Sequence, residues 1–221
     1  MENQLDLGKI IAFLQKRIKD EKPGLRAQLR MCPQPPPSLQ VYPENCTSCL
    51  KAAVLILLYP KNNQPYLVFI KRSHLVHHHQ NQISFPGGQQ EDDESLEATA
   101  LRETEEELGL SSSSISVLGQ LTPLYVSASN YLIYPVVGSL ADAPHFFAQT
   151  EEVAEIIEVP LAHLLKEENL KKEIWPLRDR VALVPFYHFQ EYKIWGATAM
   201  ILSEFLSLVE KFIISSDNES G

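Results

Sequence analysis

Positive charge is in short supply: 19 Lys and Arg stand against 28 Asp and Glu, a formal net charge of −9 over 221 residues. That balance excludes a nucleic-acid backbone as the main partner, because phosphate neutralisation needs clustered cations. Long apolar runs are also missing. The run Ala52 to Tyr59 is only strand-sized, well short of the roughly 20 residues that cross a bilayer. The opening MENQLDLGKI lacks the basic-then-apolar order of a secretory leader, and the final DNESG is not a Ser-Lys-Leu peroxisomal address. Cysteine is sparse and odd in number, at Cys32, Cys46 and Cys49. This fits a reducing, cytoplasmic setting better than a disulfide framework. Cys46 and Cys49 form a C-x-x-C, but a structural zinc needs four ligands and no second such pair exists. Cys32 and His77, His78 or His79 lie far off in sequence, so Cys46 and Cys49 are read as incidental thiols.

A chain of this length is one domain with additions. Leu7, Ile10, Ile11, Leu14 and Ile18 give Leu5 to Lys19 one apolar helical face, which Pro23 and Gly24 end. Proline crowds Cys32 to Asn45, an extended connection. The expected division is therefore an N-terminal helix and lead-in over 1–48, a body over 49–214 and a polar tail over 215–221. In the body, Ala52 to Tyr59 reads as a buried strand and Tyr66 to Ile70 as its partner across a turn. Ile83 to Phe85, Ile115 to Leu121, Tyr131 to Gly138, Val153 to Val159 and Ala182 to Phe189 are further strands. Helices are expected at Ser95 to Leu108, Leu161 to Lys166 and Ala197 to Ile213. Strands and helices do not alternate strictly, which argues for a mixed sheet flanked by helices.

The most informative stretch is Gly88 to Leu110, GQQEDDESLEATALRETEEELGL. Glu103, Glu106 and Glu107 stand at i, i+3 and i+4 and project from one helix face. Crowded anions weaken a bare helix and become favourable around a hard divalent cation. A solvated acidic face has the same spacing. The glycine-bounded loop before the helix and the Gly109 stop after it favour the metal site.

The spacing G-x5-E-x7-R-E-U-x-E-E-x-G-U, with U aliphatic, resembles the signature of the Nudix hydrolases. Gly88, Glu94, Arg102, Glu103, Glu106, Glu107, Gly109 and Leu110 match it, and Thr104 replaces the first U. A threonine hydroxyl there needs a partner, and the carbonyl of Ala100 one turn earlier is the expected one. The resemblance implies the α/β/α Nudix fold, with the N-terminal helix as an addition, and Mg2+ or Mn2+ as cofactor. It implies Glu103 and Glu107 as principal ligands, with Glu106 and the Gly88 carbonyl beside them. Arg102 is expected to pair with a ligand carboxylate, and Glu94 to brace the loop–helix junction or meet metal through water. The catalytic set is then Glu106, Glu107, Arg102 and Glu152. The general base is left open among Glu106, Glu107 and a carboxylate outside the signature, Glu151 or Glu152.

Upstream, LVFIKRSHLVHHHQNQISFPGG (Leu67 to Gly88) is similar to the additional motif of the coenzyme A pyrophosphatase branch of that family. Shorter similarities continue from Pro23 to Phe212. The resemblance implies hydrolysis of coenzyme A and its thioesters, with Lys71, Arg72, His77, His79, Phe85 and Gly87 at the substrate. A small-molecule substrate is the implied partner, with no nucleic acid or membrane, and a homodimer is compatible. His77 and Asn81 depart from the branch, which carries arginine and glycine there. Histidine is cationic only near or below about pH 6.5, so His77 implies a weaker phosphate grip. The alternatives are another nucleoside diphosphate (ADP-ribose, NADH or an oxidised nucleotide) as substrate, or a non-catalytic binding domain of the same fold.

Overall fold

Strand β1 (Leu50–Lys61) is apolar at nearly every position because both of its faces are covered. In the computed structural model, which describes residues 5–36, 48–73, 82–149, 151–177 and 180–219, its side chains divide between two cores. Ala53, Leu55, Leu57 and Tyr59 meet Ala100 and Leu108 on one face. Ile56 and Leu58 meet Ile10, Leu14, Ile18, Leu202 and Phe205 on the other. This is the α/β/α arrangement expected.

The remaining strands are β2 (Gln64–Arg72), β3 (Ile83–Ser84), β4 (Gly87–Gln89), β5 (Ser116–Gln120), β6 (Leu124–Val126), β7 (Tyr131–Ser139), β8 (Val153–Pro160), β9 (Leu170–Pro176), β10 (Val181–Phe189) and β11 (Tyr192–Trp195). The helices are α1 (Leu7–Asp20), α2 (Gly24–Gln28), α3 (Leu96–Leu108), α4 (Leu161–Leu164) and α5 (Gly196–Glu219). The main sheet runs β3-β2-β1-β7-β5, with β4 on β1, β6 on β7 and β8 on β2. Among the described residues only β1 and β7 pair in parallel, so the sheet is mixed. Asn62 and Asn63 take positive φ values of 51° and 59° and close the β1–β2 hairpin tightly. A second sheet, β11-β10-β9, lies apart from the first. Of its strands, the sequence indicates only β10. Polar LKKEIWP and the four-residue YKIW have too weak an alternation to stand out before they pair with it.

Asp6 caps α1 by accepting from the Lys9 N–H, and Ile10, Leu14 and Ile18 are its buried face. Helix α5 continues beyond Ile213 to Glu219, taking in residues expected as tail. Thr104 Oγ1 donates to the Ala100 carbonyl at 2.7 Å, the partner its position calls for. Cys32 is a buried free thiol, but Cys49 is disulfide-bonded, which corrects its reading as an incidental thiol. Cys46 lies outside the described residues, as does most of the proline-rich stretch. Among the described residues no helix is long and apolar enough to cross a membrane.

Within α5 sits a fully buried carboxylate that the sequence does not single out. Glu204 accepts from the Gly24 N–H (3.0 Å), Gln28 Nε2 (2.8 Å), Thr122 Oγ1 (2.7 Å) and the Thr122 N–H (3.3 Å). It thereby ties the start of α2 and the β5–β6 connection to the closing helix. Replacing Glu204 with Ala leaves these donors without an acceptor and lowers unfolding free energy by about 3 kcal/mol. Urea unfolding measures this, and a loss under about 1 kcal/mol would show that water satisfies the donors instead.

Candidate active site

Helix α3 starts where the Ser95 hydroxyl accepts from the Ala98 N–H at 3.1 Å. It stops where Gly109 turns left-handed at φ 64°. The loop before it is held by Arg102. Its Nε and Nη2 fork onto the two Glu94 oxygens at 3.2 and 2.9 Å, while Nη2 also reaches the Gln89 carbonyl at 3.2 Å. Nη1 reaches Glu103 Oε1 at 2.9 Å and Glu106 Oε2 at 3.1 Å. Arg102 is therefore a junction of three carboxylates and more than an i, i+4 surface pair. Glu94 also accepts from the Glu91 N–H and Thr99 Oγ1, both at 2.9 Å. These donors, Arg102 foremost, hold its carboxyl down at about 2. Glu94 is thus the brace of the loop–helix junction.

Glu107 is the most enclosed carboxylate on α3, at 2% exposure. The Gly87 N–H donates to its Oε2 at 2.9 Å, and Arg72 Nη1 stands 3.7 Å from its Oε1. Glu107 is raised to about 8: burial drives it up most, Gly87 and Arg72 oppose the rise, and Glu103 and Glu152 add to it. Glu103 is also raised, first by burial, with Glu106 and Glu152 adding to the rise against Arg102. The backbone approaches closely here: a Cβ at Gly88 would lie 2.3 Å from the Glu103 carboxyl carbon. Only glycine brings its main chain this near.

Glu152 reaches the cluster from a distant part of the chain. The Phe147 and Gln149 N–H groups donate to the Leu108 and Glu107 carbonyls at 2.8 and 3.2 Å. These are the carbonyls a helix C-terminus leaves without partners. The same connection then folds back through Glu152 N–H and Val153 N–H to the Gln149 carbonyl, at 3.1 and 2.9 Å. Its docking on α3 sets Glu152 close enough to act on Glu103 and Glu107.

The fold thus brings together Glu103, Glu106, Glu107, Glu152, Arg102, Arg72, Gly87 and Gly88. Three expectations about the substrate side are altered. Phe85 is 2% exposed and stacks on Phe69 at a centroid distance of 4.8 Å, so it belongs to the core. Lys71 and Arg72 part company because successive strand residues face opposite sides. Arg72 turns to Glu107 on α3, whereas Lys71 lies 4.0 Å from Glu155, which also receives the Tyr192 hydroxyl. Gly87 serves through its N–H on Glu107. His77, His79 and Asn81 lie outside the described residues. Tyr131, whose hydroxyl donates to Gln89 Oε1 at 2.6 Å, escaped the sequence reading because its partner lies on β4.

Among the described residues no three His, Cys, Asp or Glu meet at ligating distance as arranged. Arg102 occupies oxygens of Glu103 and Glu106, and Arg72 faces that of Glu107. The donor set nevertheless fits an oxygen-coordinated Mg2+ or Mn2+. It offers several carboxylates, one of them buried and raised by its surroundings, beside a glycine backbone that no side chain covers.

Residues 50–181 match the NUDIX domain family. The chain is 37% identical over 186 residues to a protein of Photorhabdus laumondii named as an uncharacterized Nudix hydrolase, NudL, covering 84% of this chain and 95% of that one. A protein of the same name in Yersinia enterocolitica is 38% identical over 155 residues, 68% of this chain and 77% of its own. Among solved structures, a MutT/nudix family protein from Enterococcus faecalis superposes with a TM-score of 0.52 at 16% identity, over 95% of this chain and 71% of that one. The Nudix hydrolase RenU of M. smegmatis gives 0.50 at 17% identity, over 73% and 86%. Those two likenesses concern the fold alone.

The environment of Glu107 has a measurable consequence in metal-free protein. Its folded value of about 8 lies above the ordinary 4.5, so the folded state holds the proton more tightly. Its contribution is full at low pH and is lost as pH rises from near 4.5 through 8. In EDTA, Tm should fall across that window in the parent and fall less in Glu107→Gln. Parallel Tm–pH curves for the two proteins would contradict this environment.

Proposed function

The chain belongs to the Nudix family, and we propose that within it the substrate is coenzyme A and its thioesters. As a Nudix hydrolase it acts on a nucleoside diphosphate derivative. The finer reading has water cleave the diphosphate linkage, giving 3′,5′-ADP and 4′-phosphopantetheine or its acyl form. The observation that carries it is the Leu67 to Gly88 sequence, whose basic Arg72 comes within 3.7 Å of the carboxylate cluster. Branches that take ADP-ribose or NADH do not call for that motif.

In this reading Glu103, Glu107, Glu106 and the Gly88 carbonyl would hold Mg2+ or Mn2+. When bound, the cation neutralises diphosphate charge and acidifies water. Arg102 keeps Glu103 and Glu106 oriented. Glu152 is the carboxylate we assign to removing the proton of the attacking water. It is exposed and has no ion pair among the described residues, whereas Glu106 is held by Arg102 and Glu107 is buried. Arg72 and the basic residues that follow it attract the phosphates of the substrate.

The deciding experiment incubates purified protein with coenzyme A, ADP-ribose and NADH, each with Mg2+ or Mn2+, and identifies products by mass. Coenzyme A should be cleaved fastest, and excess EDTA should abolish turnover. Faster cleavage of ADP-ribose or NADH would move the chain to another branch. Glu107→Gln should lower kcat by roughly 10²–10⁴-fold, and a loss under threefold would move the chemistry elsewhere. The 3′-phosphate is tested separately. kcat/KM for coenzyme A should exceed that for 3′-dephospho-coenzyme A by about tenfold or more, as befits a charged hydrogen bond. Equal values would remove the basic segment from phosphate recognition while leaving the family membership intact.

A further inference from the structure

The partner of the buried Glu107 comes from outside the signature. Arg72 closes β2, and its own N–H is fixed on the Gln82 carbonyl at 3.0 Å. Its side chain is one-quarter exposed, and Nη1 lies 3.7 Å from Glu107 Oε1. At that distance charges attract without a hydrogen bond. The other oxygen of the same carboxylate is held by the Gly87 N–H at 2.9 Å. Glu107 therefore has one fixed anchor, in the backbone, and one exchangeable counter-charge, on a long side chain that reaches solvent in part.

Resting on the diphosphate-hydrolase reading above, we propose that Arg72 is a movable counter-charge. It neutralises Glu107 in the metal-free protein and turns to the diphosphate of the substrate once Glu107 ligates a cation. Two positive groups cannot share Glu107 Oε1 at low cost, since a like charge a few ångströms away in a partly buried setting is strongly repulsive. A diphosphate beside the cation reverses the sign of the field at Arg72. The guanidinium fork suits phosphate oxygens in geometry as well as in charge. The arginine thus opposes metal loading of the empty enzyme and favours it when diphosphate is present. By linkage, metal then strengthens diphosphate binding by the same factor.

The test measures two quantities of opposite expected sign. Mn2+ binding to the protein alone, without substrate, is followed by the loss of the free-ion electron paramagnetic resonance signal. KM is measured at saturating Mn2+ with whichever diphosphate of the panel is cleaved. Arg72→Gln should bind Mn2+ about threefold or more tighter than the parent, yet raise KM by about tenfold or more. Arg72→Lys keeps the charge and should retain a Mn2+ affinity close to the parent's, with a smaller rise in KM. An arginine that merely props Glu107 in position would weaken Mn2+ binding in Arg72→Gln. One that touches only substrate would leave Mn2+ binding unchanged. Either result, in a parent that binds Mn2+, overturns this proposal and spares the hydrolase reading. Failure of the parent to bind Mn2+ even with the diphosphate present overturns both.

Discussion

Four carboxylates gathered at one helix repel one another, and the architecture around α3 is organised by that repulsion. Burial raises Glu103 and Glu107 most, and the neighbouring carboxylates add to the rise. Without a cation the cluster is held by Arg102 along its length, by Arg72 at its buried end and by the Gly87 N–H. Each of these attaches α3 to something else. Arg102 carries the tension to Glu94 and the loop, Arg72 to the end of β2, and Gly87 to β4 beside β1. The acidic helix is consequently tied to three separate strands and loops by the groups that offset its charge.

The scaffold supplies these attachments by ordinary packing. Strand β1 holds β4 along its first half, through Ala52, Ala53 and Val54, and β2 along its last residues. Strands β2 and β4 therefore share one edge of β1, and α3 follows β4 from there. Ala100 and Leu108 then seat α3 on the face of β1 that carries Leu55 and Leu57. On the opposite face α1 and α5 cover Ile56 and Leu58. The N-terminal helix shares a core with the closing helix, and Glu204 fastens the short α2 between them. This second layer lies across the sheet from α3 and its carboxylates.

The second sheet stands at the margin of the cluster on the Lys71 side. Tyr192 of β11 donates to Glu155 of β8, and Lys71 of β2 lies beside the same carboxylate. On the other face of that sheet, Trp175 packs on Phe186 and Trp195, with Lys193 over two of the rings and bonded to Glu173 at 2.6 Å. The residue next to Arg72 therefore faces Glu155 and the Tyr192 hydroxyl that shares it. Two basic neighbours in sequence become, in space, members of different surroundings.

What the sequence determined by itself is local and periodic. Helix α3, its Ser95 start, its Gly109 stop and the back-bond of Thr104 to Ala100 follow from spacings of three and four residues, where backbone geometry alone decides who meets whom. The burial of β1 on both faces was legible for the same reason, as an apolar run with no alternation. The tertiary structure decided every pairing between distant residues. Glu152 joins the cluster because its loop satisfies the last carbonyls of α3. Phe85 leaves the substrate side because its ring stacks on Phe69. Arg72 and Lys71 separate because a strand sends successive side chains to opposite faces. Strands β9 and β11, too polar or too short to declare themselves, exist because β10 offers them a ladder. In each case the deciding energy is a contact across many residues of chain, and no local pattern encodes its partner.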